Sequence, residues 1–542
     1  MAQDIGVTAN SDVSLPFDIT SIICSYVSKP DQHRLRLVSR KLRDAATPHA
    51  FRSLYLRAYG DSPSNFGNIA RSPALRNYVR EVTIDTWIGP GYEYNADESY
   101  DVPHDFLNTL PYLRYYQKMT RLHLRFSKYC GIEDYHTRSV GPDIEETWSL
   151  RYKILDTVAH CVMGMWTKES QMKISQRVGN YQLRRFAWYE DDLPDLRPGI
   201  VMNIKELTIS NLADYKDPNL LESIAWKKLL HLPTLIDLKV LVTKEHTMTE
   251  SADIFCDEKY EFFQNLHFDL LTPPVASKLQ VLSLFYVDFW GWIPKMDLAL
   301  IGPMPQLKIL ALGNYVFTNE SQIDWIASLG NDNRSSGLEE LYLNDCPVLY
   351  EARQHGPLTI DGYPIPDKVM EAFRAQPWAP STTKYSIRWY QILNKWQKRM
   401  RGLRKFVMGH GNWQSASLTI NASNGREEYA HLNYDEKEQR FLHNSHRYFA
   451  CPEPQPQELR RKAKIVPADK YLYGAGLSQR RTERMEYIYY DIGQGPSPWE
   501  YANIHWDRWE KDAGCAPEDE TVAMDDAAYD MLMATIQDRL KC

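Results

Sequence analysis

Leu338-Glu339-Glu340-Leu341-Tyr342-Leu343-Asn344-Asp345-Cys346-Pro347-Val348 is the stretch on which the reading of the fold turns. Leucines at 338, 341 and 343 give the spacing apolar-x-x-apolar-x-apolar. Strand side chains alternate, so the last two leucines share one face of a short strand. The same spacing recurs at Val79/Val82/Ile84, Met119/Leu122/Leu124, Ile204/Leu207/Ile209, Leu235/Leu238/Val240, Leu279/Leu282/Leu284, Leu307/Leu310/Leu312 and Leu403/Phe406/Met408. The number of matches decides nothing, because chance yields roughly seven in a chain this rich in apolar residues. Their clustering does: five fall within residues 204–343, where chance yields roughly two. First residues there lie 31, 44, 28 and 31 apart.

Helical signals fill the intervals. Asp217-Pro218 precedes a stripe of Leu221, Ile224, Ala225 and Leu229. Thr318 is the expected N-cap of a helix with Ile323, Ile326 and Ala327, closed by Gly330. Leu232-Pro233 and Met304-Pro305 mark turns before the next strands. From Leu338 through Cys346 to Val348 the chain resembles the leucine-rich-repeat template. Its order of strand, helix, turn and strand is that of a stacked α/β array. The expected fold class is therefore α/β, an irregular leucine-rich-repeat-like right-handed solenoid over residues 57–410. An ordinary α/β domain with short buried strands is the alternative. The intervals from Met119 to Ile204 and from Leu338 to Leu403 are too long for single repeats. Residues 250–261, with one lysine among five acids, are expected as an exposed loop. Alternation would aim Thr83, Asp85, His123, Arg125, Lys239, Phe285, Tyr342 and Asn344 at the open sheet face, with Trp290, Trp292 and Tyr315 on loops beyond. That mixture of aromatic and polar groups suits recognition of a protein target.

Near the start, Ile19, Ile22, Ile23, Tyr26 and Val27 fall on one face of a helix. Pro16 fits its first turn and Asp18 complements its dipole. Ser28-Lys29-Pro30 interrupts it, Asp31 is the expected N-cap of a second stretch with Leu35, Val38, Leu42 and Ala45, and Thr47-Pro48 is expected to end that one. Phe51 to Leu56 reads as a strand. Three short helices in so few residues cannot bury their apolar faces alone.

The residues Leu15-Pro16-x-Asp18-Ile19-x-x-Ile22-Ile23, then Asp31-x-x-x-Leu35-Arg36-Leu37-Val38-Ser39-Arg40-x-x-Arg43, strongly resemble the F-box motif. Pro48-x-x-Phe51-Arg52-Ser53-Leu54 resembles its ending in fungal members. The sequence departs at Gln32, where that family usually has leucine. The resemblance implies a three-helix F-box over residues 14–56. It also implies docking to the small S-phase-kinase-associated adaptor of a cullin-type ubiquitin ligase through Leu15, Pro16, Ile19, Ile22, Leu35, Val38 and Leu42. Leucine-rich arrays often follow this motif.

Composition bounds the remainder. The 542 residues are 43% hydrophobic, 12% aromatic and 25% charged with a net charge of −7. The aromatic content excludes a wholly disordered chain, and no basic field marks a general nucleic-acid binder. The eight cysteines form no C-x-x-C pair, and no stretch approaches the roughly 18 apolar residues of a membrane span. The expectation is an intracellular, reduced protein of the cytoplasm or nucleus. Residues 1–13 are expected to be disordered.

Residues 411–542 are expected to be an irregular capping region. They include the proline-rich 451–456, the basic 478–484 and three tryptophans (Trp499, Trp506, Trp509) read as core. They end in an amphipathic helix carrying Tyr529, Leu532, Met533, Ile536 and Leu540. The basic run Lys395 to Lys405 reads as a solvated face.

No metalloprotease, nucleophile-elbow, phosphate-loop or calcium-loop motif is present. His443 and His446 lack an adjacent carboxylate. Neither catalysis nor a cofactor is expected. The function expected is that of the substrate-recognition subunit of a cullin-type ligase. The alternatives are an adaptor-bound scaffold that does not direct degradation, or an enzyme on an α/β scaffold.

Overall fold

The computed structural model describes residues 15–86, 102–126, 130–131, 146–179, 181–184, 199–243, 257–344, 346–354, 356–365, 381–409, 418–420, 427–429, 487–491, 495–496 and 519–541. Residues 1–13, the proline-rich and basic segments after 450, Trp499, Trp506, Trp509, His443 and His446 lie outside these.

The described residues open with three helices: α1 (Phe17–Tyr26), α2 (Lys29–Val38) and α3 (Arg40–Ala50). A sheet of nine strands follows: β1 (Ser53–Arg57), β2 (Glu81–Asp85), β3 (Arg121–Arg125), β4 (Glu206–Ala213), β5 (Asp237–Thr243), β6 (Val281–Trp290), β7 (Ile309–Tyr315), β8 (Glu340–Asn344) and β9 (Lys405–Gly409). They lie side by side in chain order, and every pair is parallel. The architecture is thus α/β with an all-parallel sheet and an N-terminal helical unit.

The last two residues of all eight sequence triplets lie on this sheet, in register. Leu54, Val82, Leu122, Leu207, Leu238, Leu282, Leu310, Leu341 and Phe406 form one row across the nine strands. Leu56, Ile84, Leu124, Ile209, Val240, Leu284, Leu312, Leu343 and Met408 form the next, and nearly all of both rows are sealed from solvent. The first residue of each triplet, from Val79 to Leu403, is buried in the turn before its strand. Against this face pack helices 62–71, 148–162, 224–230, 257–269, 320–328 and 389–399, in one continuous core. Fully burying such a side chain stabilises by about 1.5–3 kcal/mol, so the stacked rows are the main support of the sheet.

Local stop signals differ in detail from the sequence reading. The stripe after Asp217 is cut by Ser223, whose extended backbone separates helix Pro218–Glu222 from helix Ile224–Leu230. The break turns Ile224 to solvent while Ala225 and Leu229 stay buried. Asn319, not Thr318, caps helix Glu320–Ser328, in a reciprocal box with Gln322. Residues 257–261, expected as loop, begin helix Asp257–Asp269.

Gly330 does close its region, with φ +74°, and a Cβ there would collide with the Leu307 carbonyl oxygen. Gly330→Ala is expected to destabilise by about 1–3 kcal/mol, the usual cost of a strained left-handed residue. Chemical denaturation of the variant measures it.

The two long intervals hold extra structure. Helix Trp148–Val162 is buried on nearly every side, charged residues included. Arg151 pairs with Glu146 at 2.8 Å and donates to the Asn211 carbonyl at 2.6 Å. Asp156 accepts from Tyr152 at 3.1 Å and from Ser223. In the second interval a smaller sheet pairs Val348–Gln354 with Ser381–Lys384 and Tyr487–Asp491. Trp290 and Tyr315, expected on loops, end β6 and β7 and are buried, as is Trp292. Their polar atoms explain this: Trp290 Nε1 donates to the Gly313 carbonyl at 2.7 Å, Tyr315 to the Met296 carbonyl at 2.9 Å, and Trp292 Nε1 to Gly362 at 2.9 Å.

The final helix, Asp519–Lys541, buries Tyr529, Leu532 and Ile536, half-buries Met533 and leaves Leu540 exposed. Arg539 donates to the Met400 carbonyl at 2.8 Å, and Asp525 accepts from Tyr487 and from the Tyr390 amide, both at 2.6 Å. Burial pushes the Asp525 carboxyl up to about 6. The unfolded value is near 3.9, so the folded chain holds the extra proton between about pH 4 and 6 and is destabilised as pH rises through that window. Melting temperatures are expected to fall from pH 4 to pH 6.5, and Asp525→Asn is expected to flatten that slope.

Candidate docking surface and sheet face

The first helix is built inside out. Thr20 and Cys24, four apart, face inward. Cys24 packs with Ala45 and Ala46 of α3 in a small core. The apolar stripe faces outward: Leu15, Phe17, Ile19, Ile22 and Ile23 are each about half exposed, and Tyr26 is 85% exposed. From the end of α2, Leu37 (88%) and Val38 (68%) join them as exposed apolar side chains. A stripe at helical spacing normally faces its own core. Here small residues take the inner positions because α3 approaches closely through its alanines.

Of the seven docking candidates, Leu15, Pro16, Ile19, Ile22 and Val38 are exposed. Leu35 and Leu42 are half-buried against Cys24, Ala45 and Ala46, where they brace the helices. The docking set read from sequence omits Phe17, Ile23, Tyr26 and Leu37. Ile23 and Tyr26 carry a signal, since they belong to the same stripe. Phe17 and Leu37 lie off any single-face pattern.

The caps and stops also shift. Ser28, not Asp31, caps α2, accepting from the Asp31 amide at 3.3 Å. Ser39 takes an extended conformation and caps α3, splitting what the periodicity presents as one stretch. Pro48 does not end α3, which runs to Ala50. Gln32 is buried, and its amide donates to the carbonyls of Cys24 at 3.0 Å and Val27 at 3.2 Å. It thereby ties α2 to the open end of α1, which is a polar solution at a position expected to be apolar.

The helical unit is fastened to the sheet. Phe51 is buried between His33, edge-on at 5.5 Å, and the Arg36 guanidinium at 4.5 Å. Lys29 donates to the Ser53 carbonyl and lies 5.5 Å from the Tyr55 ring. Burial pushes its ammonium down to about 8, with Glu81 opposing the shift.

The second candidate set lies on the sheet face opposite the helices. His123, Lys239 and Tyr342 stand in one row with Thr83, Thr208, Ser283, Ala311 and Val407. Arg125 and Phe285 lie two residues further along their strands, and Asn344 ends β8 opposite Gly313 and Gly409. The expectation of an open face needs correction: Thr83, Asp85, His123, Lys239, Phe285 and Tyr342 are all at most 5% exposed, and Arg125 is half-buried.

Strands about 4.8 Å apart place these side chains against one another. Lys239 pairs with Glu206 at 2.6 Å and Asp237 at 2.8 Å, and Arg121 with Glu81 at 3.0 Å. Phe285 lies over Gly313, which has no side chain to displace it, and clusters with Leu241, Ala311, Tyr342 and Val407. The face is thus charged along its first half and apolar along its second. Burial, with Lys239 and Arg121 nearby, holds the His123 imidazole well below its usual range, hence neutral near pH 7.

Among the described residues no group of three histidine, cysteine or carboxylate side chains could hold a metal ion, and no helix is long and apolar enough to cross a membrane. The described cysteines Cys24, Cys130, Cys161 and Cys346 are buried thiols.

Residues 13–53 match the family model of the F-box domain. A search of curated proteins finds no match.

Proposed function

From an F-box at residues 13–53 as premise, we propose that this chain is the substrate-recognition subunit of an SCF-type ubiquitin ligase and performs no chemistry itself. F-box domains bind S-phase-kinase-associated adaptors. The observation that carries the reading is the outward apolar stripe from Leu15 to Tyr26, continued by Leu37 and Val38. A monomer gains nothing by exposing such a patch, and helix-in-groove docking would bury it. We read residues 57–410 as an irregular leucine-rich-repeat-like solenoid that holds a protein target. In-register apolar rows and strictly sequential parallel strands support that reading.

The mechanism is proximity. The adaptor holds the F-box, the sheet domain holds the target, and a recruited conjugating enzyme transfers ubiquitin to a nearby lysine. Tethering raises the effective concentration of that lysine, to about millimolar order for short linkages. The contacts of Phe51, His33, Arg36 and Lys29 would fix the orientation of one body on the other.

Proximity labelling with the intact chain and with an Ile19→Asp/Val38→Asp variant, each with and without proteasome inhibition, tests the reading. Labelled proteins that accumulate under inhibition with the intact chain, and do so regardless of inhibition with the variant, are the expected result. A labelled set indifferent to both changes would point to a scaffold instead.

A further inference from the structure

The three F-box helices treat their own dipoles differently. α1 and α2 carry Asp18 and Asp31 in their first turns, where a negative charge is favoured. α3 reverses this: after its Ser39 cap come Arg40, Lys41 and Arg43, and its first turn holds no acid. The dipole opposes cations at that end, so nothing within the helix accounts for their placement.

The neighbouring charges add to the crowding. Residues 15–52 hold seven lysines and arginines against three aspartates, a net charge of +4 in a chain of −7, which leaves −11 for the rest. Arg34 lies three and four residues before Leu37 and Val38, hence on the same exposed face of α2. Lys41 donates to the Leu15 carbonyl, at the start of the apolar stripe. Arg34 pairs with Asp31 at 2.8 Å and Arg43 with Asp44 at 3.4 Å, both pairs open to solvent and therefore weak. Arg40 is exposed, with no hydrogen bond or ion pair among the described residues. Burial, and Arg43 as a like charge, lower the Arg36 guanidinium from its ordinary value. Cations thus border the outward apolar side chains of α1 and α2.

We infer that the adaptor surface covering this stripe carries acidic groups beside its apolar groove, and that the charge asymmetry of the chain steers the F-box toward it. The inference rests on the adaptor reading and adds what sets the rate of association. An approaching acidic surface is drawn to the F-box and repelled by the acidic remainder, so encounters are oriented before apolar contact begins. Carboxylates of the bound adaptor then compensate the cations at the start of α3.

Association and dissociation rates of the full chain with the purified adaptor, measured at about 0.05 and about 0.5 M NaCl, test it, because that change shortens the Debye length from roughly 14 Å to roughly 4 Å. Association is expected to slow at least about fivefold with salt while dissociation changes by less than about twofold. Arg40→Glu is expected to slow association at low salt at least about threefold. It is expected to do so without lowering the melting temperature, since it puts an acid in the first turn of α3. That pair of effects separates a lost steering charge from a damaged fold. Arg34→Gln, on α2, is expected to slow association in the same direction and keeps the test sharp if Arg40→Glu fails to fold. A salt-independent association rate, or folded variants that associate as fast as the intact chain, overturns this inference and leaves the docking itself in place. Absence of association at both salt concentrations removes the adaptor reading, and the inference with it.

Discussion

Ile19→Asp combined with Val38→Asp is expected to abolish co-purification with the S-phase-kinase-associated adaptor while leaving the melting temperature unchanged. The two halves of this expected result rest on different numbers. Ile19 is 44% and Val38 68% exposed, so the carboxylates stay hydrated in the free chain and exposed substitutions usually move stability by under about 0.5 kcal/mol. In a docked complex both would enter an apolar interface without partners, at a few kcal/mol each. Together they reduce affinity by at least about a thousandfold, or about 4 kcal/mol. Retention of the adaptor by the double variant in a pull-down would remove α1 and α2 from the interface.

Leu310→Ala is the second large effect, and it falls on the sheet instead. Leu310 is fully buried and sits in register between Leu282 and Leu341. Truncation there removes transfer free energy and leaves a cavity that neighbouring strands cannot close, costing about 3–5 kcal/mol. That is a large share of the 5–15 kcal/mol by which domains are usually stable. Ile360→Ala, at a wholly exposed position, serves as the control with less than about 0.5 kcal/mol. Denaturant midpoints measure both. A Leu310→Ala cost near that of the control would mean the row is not the support of the sheet.

The parallel sheet was legible because its strands carry a short signal, two inward residues after a buried turn residue, repeated eight times. Burial on one face imposes that pattern wherever it occurs, so Leu338/Leu341/Leu343 could be read without its neighbours. Helix Trp148–Val162 could not, because it is buried through Arg151, Lys153 and Asp156, and compensated charge has no apolar period. The F-box stripe was legible as a helix, but its direction was not: only the small residues Thr20 and Cys24 indicate which side faces inward. The open sheet face was misread for a related reason. Alternation says which face a side chain takes, not how fully Lys239, Glu206 and Asp237 cover one another.

Hydrogen exchange on the full chain, alone and mixed with the purified adaptor, tests the central claim most directly. Slowed exchange concentrated in peptides covering residues 15–38, with the strands from β2 to β9 unchanged, is the predicted result. Unaltered exchange across 15–38 in the presence of saturating adaptor would contradict it.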